Sequence, residues 1–319
     1  MKKVRILPLL ALVTLLSACN KGPVVKAPTF TKEGEQVTYA EFNTKLEASF
    51  KASELYDDGE GELPALGDRV LKGSTSSSNV TIVKRNKKEI RKEESASSIS
   101  AEQLYDYDNL VSKTTTNTKE TSSIKTEEES SSGSSTGKSE VYYQFGRIDN
   151  TDYLLSVNSK TKSYRRSYEV SSGSTPAKTF DRYVRNNISS VQSLFSYYLP
   201  GESDAKDYIF SNKENLYTFS ASTENNDELF KESLVKYATV KRTAKIKVQL
   251  DLTDGKQSLK LSYETRTETT YIEPYSSYSE SFLKDDISIE ENKSYYDVSV
   301  AAKKADVKSV DITEYAYLD

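Results

Sequence analysis

Residues 241–270 read KRTAKIKVQLDLTDGKQSLKLSYETRTETT, and this stretch decides the fold. Two runs in which apolar and polar residues alternate flank Asp254 and Gly255, a dipeptide that favours a two-residue hairpin turn. The turn fixes which residues of the two runs lie opposite each other, and the apolar residues then share one face of an antiparallel pair. The predicted pairs are Leu250 with Leu259, Val248 with Leu261 and Ile246 with Tyr263.

Further strands are predicted on both sides of this hairpin. From residue 140 onward, three runs with a period of two indicate an antiparallel meander. A short strand at 80–84 precedes them, and the residues after 286 are typical of closing strands. The alternating positions are Val80 and Ile82; Val141, Tyr143 and Phe145; Tyr153, Leu155 and Val157; Tyr164, Arg166, Tyr168 and Val170; then Ile287, Ile289, Tyr296, Val298, Val300, Val310, Ile312 and Tyr315.

Amphipathic helices are predicted at three places. The first spans 39–55 and begins with a capping box of Thr38 and Glu41. The second spans 180–199 and ends before a Pro-Gly pair, and a shorter one spans 227–237. Each has an apolar stripe at spacings of three and four residues, which predicts that it packs on a sheet. The stripes are Tyr39, Phe42, Leu46 and Phe50; Phe180, Val184, Ile188, Val191, Phe195 and Tyr198; and Phe230, Leu234 and Tyr237.

Together these elements predict the α+β class for a domain that covers residues 37–319. We expect a curved antiparallel β-sheet, built as a meander or as an incomplete barrel. Two or three amphipathic helices should pack on one of its faces, because their apolar stripes need a sheet to cover them.

Residues 112–137 are rich in Ser and Thr, and their one sizeable apolar side chain is Ile124. Such a segment buries too little apolar surface to offset the roughly 1–2 kcal/mol per residue that backbone ordering costs. We therefore expect it to be mobile, at least over 127–137, although the Thr-rich part 111–126 also suits edge strands. It is either a long loop within one domain or a boundary between two domains.

The chain begins with a segment that resembles a bacterial export signal. Three basic residues precede the apolar run 6–16, which is shorter than a membrane-spanning helix. The run ends in Leu16-Ser17-Ala18-Cys19, which resembles the lipobox of bacterial lipoproteins. That resemblance implies a diacylglycerol on the sulfur of Cys19, cleavage just before it, and a signal peptide over residues 1–18. The alternative is an ordinary signal peptide in which the cysteine occurs by chance.

Residues 19–36 then read as a lipidated cysteine and a flexible tether, because residues 20–36 are polar and contain two prolines and two glycines. The chain has a formal net charge of -4, which becomes -7 once the basic residues Lys2, Lys3 and Arg5 are removed. A negative net charge does not attract nucleic acid or an anionic membrane. The expected membrane contact is therefore the lipid on Cys19, on the extracytoplasmic face of the bacterial cell membrane.

The composition excludes most catalytic sites. The chain contains no histidine and a single cysteine, which excludes Ser-His-Asp and Cys-His arrangements and the usual zinc sites. Paired carboxylates occur in charged, loop-like sequence, where no apolar pocket would raise a pKa. The acidic cluster at 57–62 lacks the order of an EF-hand. We therefore expect no enzyme, no cofactor and no metal. The carboxylate groups are Asp57-Asp58, Glu127–Glu129, Asp285-Asp286 and Glu290-Glu291.

Paired tyrosines are the remaining candidates for a binding surface. In a strand or helix, one ring of each pair should point inward and the other outward. The inward rings are expected in the core, and the outward rings either cover sheet surface or form a platform for a flat ligand. The basic run at 84–92 is interrupted by acidic residues and is a mixed-charge surface rather than a nucleic-acid site. The tyrosine pairs are Tyr142-Tyr143, Tyr197-Tyr198 and Tyr295-Tyr296.

The order of elements after the tether is similar to that of the LolA and LppX group of envelope lipoprotein carriers. The similarity covers residues 37–319 and is one of architecture, since no residue motif carries it. It implies a curved, incomplete barrel with helices over its concave side and acyl chains held between the two layers. The long segment 112–137 departs from a compact member of that group.

Three functions follow as hypotheses. The first is a non-catalytic lipoprotein that holds an apolar or lipid-like ligand between sheet and helices. The second is a surface interaction or adhesin-type module that binds an envelope protein, suggested by the tether and the tyrosines. The third is a solute-binding component of a transporter, although the βαβ alternation of that fold is missing.

Overall fold

A computed structural model describes residues 25–52, 65–226, 237–253, 257–276 and 281–318 of the 319-residue chain. Most of these residues lie in strands, and a few form helices. The helices are α1 (Tyr39–Ala52), α2 (Pro176–Ile188) and α3 (Ser190–Tyr198). The strands are β1 (Glu35–Val37), β2 (Arg69–Arg85), β3 (Lys88–Asp106), β4 (Val111–Thr126), β5 (Ser130–Ile148), β6 (Thr151–Asn158), β7 (Ser163–Glu169), β8 (Ile209–Lys213), β9 (Leu216–Asn226), β10 (Ala238–Asp251), β11 (Gln257–Tyr271), β12 (Tyr275–Ser276), β13 (Ser281–Phe282), β14 (Ile287–Ala302) and β15 (Ala316–Tyr317).

One 13-stranded sheet dominates the structure. Its order is β1-β8-β9-β10-β11-β14-β2-β3-β4-β5-β6-β7-β15, and it is not closed, while β12 and β13 form a separate two-stranded sheet. Strands β2 to β7 form one meander and β8 to β11 form another, and β14 joins the two. The expected antiparallel pairing holds for every neighbouring pair except β7 and β15, which are parallel, so the sheet is mixed. The prediction of a large β-sheet with helices is thus confirmed, but the described residues are mostly β and the sheet is mixed rather than wholly antiparallel.

The hairpin of β10 and β11 has the predicted register. Leu250 pairs with Leu259, Val248 with Leu261 and Ile246 with Tyr263. The four leucine and valine side chains of these pairs are buried. The predicted turn at 254–255 lies outside the described residues.

The described residues contain two helices: α1, and one bent helix whose two segments are α2 and α3 and which corresponds to the helix predicted at 180–199. Thr175 caps its start by accepting a bond from the N–H of Lys178, and Pro176 occupies the first turn. The bend falls at Ser189 and Ser190. Their hydroxyls donate to the carbonyl oxygens of Asn186 and Asn187, a pattern that bends helices. The helix predicted at 227–237 lies outside the described residues except for Tyr237.

Helix α1 begins at Tyr39, as predicted. The last three residues of the prediction, 53–55, lie outside the described part of the chain. The Thr38 hydroxyl accepts a bond from the N–H of Glu41 at 3.3 Å, which is one half of the predicted capping box. The Glu41 carboxylate instead pairs with Lys45 at 2.8 Å. Phe42 and Leu46 of the predicted stripe are buried.

The Ser/Thr-rich segment 112–137 requires a correction. Most of it lies in β4 and β5, inside the large sheet, and a short turn at 127–129 joins the two strands. Strand β4 is not an edge strand, because it pairs with β3 on one side and β5 on the other. These pairings satisfy the backbone groups that we expected to be solvated, and Thr suits an extended backbone. The mobility of 127–137 stays a prediction.

Two segments without regular structure cross the sheet on the face away from the helices. The N-terminal strap is residues 25–34, and the C-terminal strap is residues 303–315. Each is held by one buried glutamine whose amide pairs with both backbone groups of a strap residue. Gln249 pairs with Thr31 at 2.8 and 3.0 Å. Gln144 pairs with Val310 at 2.7 Å in both bonds.

The straps correct two further predictions. Val310 and Ile312 lie in the C-terminal strap and not in a closing strand, because their segment crosses the strands instead of pairing with them. Part of the predicted tether, 29–33, is fixed on the sheet, and Glu35–Val37 is an edge strand. Buried Asp106 adds to the hold on the C-terminal strap by accepting the N–H of Val307 at 2.9 Å.

The core lies on one face of the sheet. We call the face that α1, α2 and α3 cover the inner face and the opposite one the outer face. We call the half of the sheet around residues 248–251 and 296–300 the proximal half and the other the distal half. The described helices cover only the proximal half. The distal half ends at the turns 85–88 and 126–130. The largest buried side chains of the main core are Phe42, Leu46, Tyr105, Leu154, Phe180, Ile188, Phe195, Tyr217, Phe219, Leu250 and Leu259.

A candidate binding site on the inner face

A cavity of about 390 Å³ lies in the distal half of the sheet, beyond the helices. We call it the serine cavity, because small polar residues from five neighbouring strands line it. Strand alternation places every second lining residue on the inner face, and this face continues from Leu261 and Leu71 of the core. The inner-face lining residues are Ser294 and Asn292 of β14, Ser77 and Asn79 of β2, Ser97 and Ser95 of β3, Glu120 and Ser122 of β4, and Ser135 and Gly133 of β5.

The register of five strands builds this cavity. Tyr263, Ser294 and Ser77 lie side by side on β11, β14 and β2, and the row continues through β3, β4 and β5. The next inner-face row lies two residues farther toward the distal end. Because no large side chain fills the middle of either row, an open space remains. The first row continues with Ser97, Glu120 and Ser135; the second is Thr265, Asn292, Asn79, Ser95, Ser122 and Gly133.

Hydrogen bonds order part of the cavity lining. The side-chain amide of Asn79 donates to the oxygen of Asn292 at 2.7 Å. The Ser135 hydroxyl donates to the Glu120 carboxylate at 3.5 Å, which is a long bond. The lining therefore offers hydroxyl, amide and carboxylate groups to a ligand. Glu120 is the one charged inner-face residue among them.

The outer face of the same strands has a different chemistry. Cross-strand and same-strand ion pairs cover it, so its long side chains are already matched with opposite charges. A neutral ligand on the outer face would therefore have to compete with these ion pairs for polar contacts. The pairs include Lys92 with Glu94, Lys113 and Lys138 with Glu140, and Arg266 with Glu268 and Glu291. A second cavity of about 380 Å³ lies against this charged surface at the distal tip and includes Lys92, Glu94 and Lys125.

Tyrosines form the proximal border of the serine cavity. Tyr263 is 37% exposed, and its strand partner is Ser294 of the cavity. Tyr198 at the end of α3 interacts electrostatically with both Tyr296 and Tyr263. Tyr197 is 74% exposed, and its ring meets that of Tyr198 edge-on at 5.2 Å. We call Tyr197, Tyr198, Tyr263 and Tyr296 the tyrosine border.

Burial and neighbouring phenols raise the pKa of Tyr198 in this border. Desolvation is the main cause that raises the pKa of Tyr198 to about 12, and the neighbouring Tyr296 adds to it. Burial likewise raises the pKa of nearby Tyr208. These phenols are therefore protonated at neutral pH, so their hydroxyls can donate hydrogen bonds and their rings carry no charge.

The tyrosine pairs follow the predicted inward and outward pattern. Tyr143 packs on Tyr183 of α2, whereas Tyr142 lies on the outer face beside Lys113. Tyr296 is on the inner face. Tyr295, on the outer face, donates a bond to Glu264 at 2.6 Å. The outward rings of the two pairs on strands thus cover sheet surface. The inward ring of one of these pairs, Tyr296, belongs to the tyrosine border.

The space between sheet and helices is filled. Phe180, Val184 and Phe195 of the bent helix have no solvent-accessible surface, and the other stripe residues Ile188 and Val191 are 2% exposed. A water-sized space beside these side chains would give them accessible surface. An acyl chain could therefore enter along this stripe only after the helix and the sheet had separated.

The predicted carboxylate groups do not converge. The pair at 290–291 is divided between the two faces, since Glu291 bonds Arg266 on the outer face and Glu290 bonds Asn292 on the inner face. Asp286 is buried and bound to Arg85. The residues 127–129 lie in the turn after β4, and 57–62 lie outside the described residues. Within the described ranges, no group of histidine, cysteine or acidic side chains is placed to hold a metal ion.

Sequence reasoning missed the serine cavity. Its serines show no apolar alternation, so the strands that carry them were not predicted at full length. The signal lies in the register, because the same small residues form a row only after the strands have been aligned. Cys19, the predicted lipidation site, lies outside the described residues. In the part of the chain that the structure covers, no helix is both long and apolar enough to cross a membrane.

Comparisons with known proteins give no family for this chain. No family model matches it, and no curated protein matches it. The chain has a faint similarity to the solved structure of OccK7 (OpdD) from Pseudomonas aeruginosa, with 7% identity over 74% of this chain and 99% of that one and a TM-score of 0.19. Another is the translocator domain of the autotransporter NalP from Neisseria meningitidis, with 9% identity, 83% and 95% coverage and a TM-score of 0.14. Scores this low support no argument about fold or function.

Proposed function

We propose that this chain is a lipid-anchored extracytoplasmic lipoprotein of a bacterial cell membrane, with a non-catalytic binding role. The lipobox at Leu16–Cys19 supports the anchor, and the serine cavity with its tyrosine border supports the binding role. The cavity volume lies in the range of small-molecule sites, about 300–1,000 Å³. The cavity also implies a concave inner face, as in the curved, incomplete barrel that the resemblance to the LolA and LppX group suggests.

The position of the ligand in this proposal differs from the one that the resemblance implies. A lipid between sheet and helices would replace aromatic contacts such as those of Phe42 and Phe219 with Phe195. The serine cavity needs no such separation, because the helices end before it. We therefore place the ligand on the inner face of the distal half.

The anchor is tested by mass spectrometry and cell fractionation of the full-length protein. We expect the wild type in the membrane fraction, with a diacylglycerol on Cys19 as its first residue. Cys19→Ala should appear in the soluble exported fraction without an acyl group. A wild-type chain cleaved elsewhere, or one that carries no lipid, would contradict the anchor.

The binding role is tested with two substitutions one residue apart on β3. Ser97 points to the inner face and lines the serine cavity, whereas Ser98 points to the outer face, and both are half-buried. Ser97→Arg should fill the cavity, and Ser98→Arg is the matched control. We expect small molecules extracted from purified full-length protein to be present in the wild type and Ser98→Arg and absent in Ser97→Arg. Identical extracts from all three proteins would contradict binding at this place.

A surface interaction module is the second candidate, and apolar residues at the distal tip favour it. Leu283 is 51% exposed and Ile272 is 45% exposed, and both lie in the connection between β11 and β14. Single exposed apolar residues are common, whereas a contiguous apolar patch marks a protein contact, so this candidate requires that the two residues form one patch. Cross-linking in cells should then give a defined partner for the wild type and for Ser97→Arg, and none for Leu283→Asp. Loss of the partner only in Ser97→Arg would favour the first candidate.

A further inference from the structure

The lining of the serine cavity selects against two classes of ligand. An acyl chain would remove water from its hydroxyl and amide groups without replacing their hydrogen bonds, which costs free energy for each group. A small anion would meet the carboxylate of Glu120. Among neutral ligands, the lining therefore favours polar ones with many groups that both donate and accept hydrogen bonds.

The tyrosine border narrows this class. An exposed tyrosine offers a flat apolar face and a hydroxyl at its rim, so it suits a ligand that has apolar and polar sides. A sugar ring has this character, because its C–H groups cluster on one side and its hydroxyls lie around the edge. The negative face of an aromatic ring attracts such C–H groups. Tyr263 is well placed for this contact, since it lies beside Ser294 on the neighbouring strand.

We infer that the serine cavity binds a neutral saccharide, with a sugar ring stacked on Tyr263 and its hydroxyls bonded to the inner-face serines, Asn79 and Glu120. The inference rests on the proposed binding role and names the ligand class of that site. Glu120 accepts a pair of sugar hydroxyls, and the serines donate or accept as each hydroxyl requires. Tyr197 extends the stacking surface at the helix end.

The absence of tryptophan from the chain makes this inference directly measurable. Tyr263→Trp places a single indole at the border of the cavity, and Tyr295→Trp places one on the outer face of the neighbouring strand as a control. The probes are neutral hexasaccharides of glucose, in α-1,4 and β-1,4 linkage, and of N-acetylglucosamine. The full-length protein is kept in a detergent without sugar head groups.

We expect one of these probes to shift the indole emission of Tyr263→Trp to shorter wavelength in a saturable manner, with no change in Tyr295→Trp. Adding Ser97→Arg to Tyr263→Trp should abolish the shift, and adding Ser98→Arg should leave it. Calorimetry is done on protein without an introduced tryptophan. Compared with the wild type, Tyr263→Ala should weaken saccharide binding by at least about tenfold, and Tyr263→Phe should keep the wild-type affinity.

Two results separate the inference from the proposed function. If no hexasaccharide binds at millimolar concentration while the extracts still differ between Ser97→Arg and Ser98→Arg, the cavity binds another class and the saccharide inference is wrong. If dioleoylphosphatidylglycerol, and no saccharide, shifts the Tyr263→Trp emission, the ligand is a lipid. If neither extracts nor probes distinguish the two arginine variants, both proposals fail.

Discussion

The hydroxyl of Tyr105 is one of the buried polar groups that have no hydrogen-bond partner within the described part of the chain. Tyr105 is fully buried on β3. Burial raises the pKa of this phenol well above its ordinary value. Its neighbour Tyr183 differs, because its hydroxyl accepts a bond from Gln103 at 2.7 Å.

Removing this hydroxyl should therefore stabilise the protein. We expect Tyr105→Phe to raise the free energy of unfolding by about 1 kcal/mol, since the desolvated group is lost while the ring remains. Tyr183→Phe is the control and should lower it, because Gln103 and Ser112 both lose a buried hydrogen bond to the Tyr183 hydroxyl. Urea unfolding of the three proteins measures both changes. A less stable Tyr105→Phe would mean that a bound water satisfies the hydroxyl.

Asp286 is the opposite case, a buried carboxylate with matched partners. Its oxygens accept bonds from the guanidinium of Arg85 at 2.8 Å and from the N–H of Leu283 at 2.8 Å. Burial acts to raise the pKa of Asp286, but these two partners outweigh it and the pKa is lowered. A lowered native pKa contributes stability above the unfolded pKa of about 3.9 and loses it as the pH falls through the native pKa.

Asp286→Asn should thus destabilise the protein in a pH-dependent way. We expect a loss of about 2 kcal/mol at pH 7. The difference from the wild type should shrink as the pH falls below about 3.9, where Asp286 takes up a proton in the unfolded chain while the native carboxylate is still charged, and it should be smallest below the native pKa. Asp152→Asn breaks the exposed pair with Arg147 and should have the smaller effect. Denaturant titrations at pH 7 and pH 3 measure the differences. A difference that stays constant with pH would contradict the role of the carboxylate charge.

At the scale of elements, the two glutamines that hold the straps act alike. A glutamine side chain has an NH2 group that donates and a carbonyl oxygen that accepts, and so can pair with a backbone amide as a neighbouring strand does. Gln249 holds the N-terminal strap and Gln144 the C-terminal strap, and both are buried. Each strap is thereby attached to the outer face at a defined residue.

The two glutamines should be separable by mutation. In Gln249→Leu we expect the amide of Thr31 to exchange its hydrogen about fivefold faster, which corresponds to a lost net contribution of about 1 kcal/mol. The amide of Val310 should keep its wild-type rate. Gln144→Leu should give the reverse pattern. Hydrogen exchange followed by mass spectrometry measures both, and equal acceleration at both straps in either variant would show that the straps are released together.

Which elements could be predicted depends on how their sequence encodes a face. The β10–β11 register was predictable because its apolar residues alternate on both sides of a turn. The full lengths of β2 to β5 were not, because polar residues occupy both faces of their distal parts and the pairing of backbones holds them. Turn signals were present at Asn86-Lys87 and Asp149-Asn150. All four residues have positive φ, as two-residue hairpin turns require.

The candidate site shows the same division. Tyrosine pairs were predictable, because alternation places one ring on each face whatever the neighbouring strands are. The serine cavity depends on pairings between strands, including ones that lie far apart in sequence, such as Ser77 of β2 with Ser294 of β14. The sequence alone does not indicate to which face of the sheet a serine points until its strand partners are known.

At the scale of the whole molecule, the sheet has two halves of unequal support. The proximal half has helices on its inner face and straps on its outer face. Among the described residues, neither a helix nor a strap covers the distal half, and its small apolar cluster around Val83 and Tyr271 lies at the far end. Few buried apolar contacts and exposed backbone bonds favour local opening.

Hydrogen exchange along a single strand should reveal these halves. In β3 we expect the amides of 99–106 to exchange much more slowly than those of 91–97, because only the former lie under the bent helix. The same experiment tests the predicted mobility of 127–137. Uniform protection from one end of β3 to the other would show that the distal half is as stable as the core.

The N-terminal strap also sets which way the molecule faces. Thr29 receives a bond from Lys260 on the outer face at 2.6 Å, so the chain leaves the sheet on that side. From there to Cys19 the backbone spans at most about 35 Å even when fully extended. Under the proposed anchor on Cys19, this short connection would hold the outer face toward the bilayer. The serine cavity would then open away from the membrane, and the proposed ligand would reach it from that side.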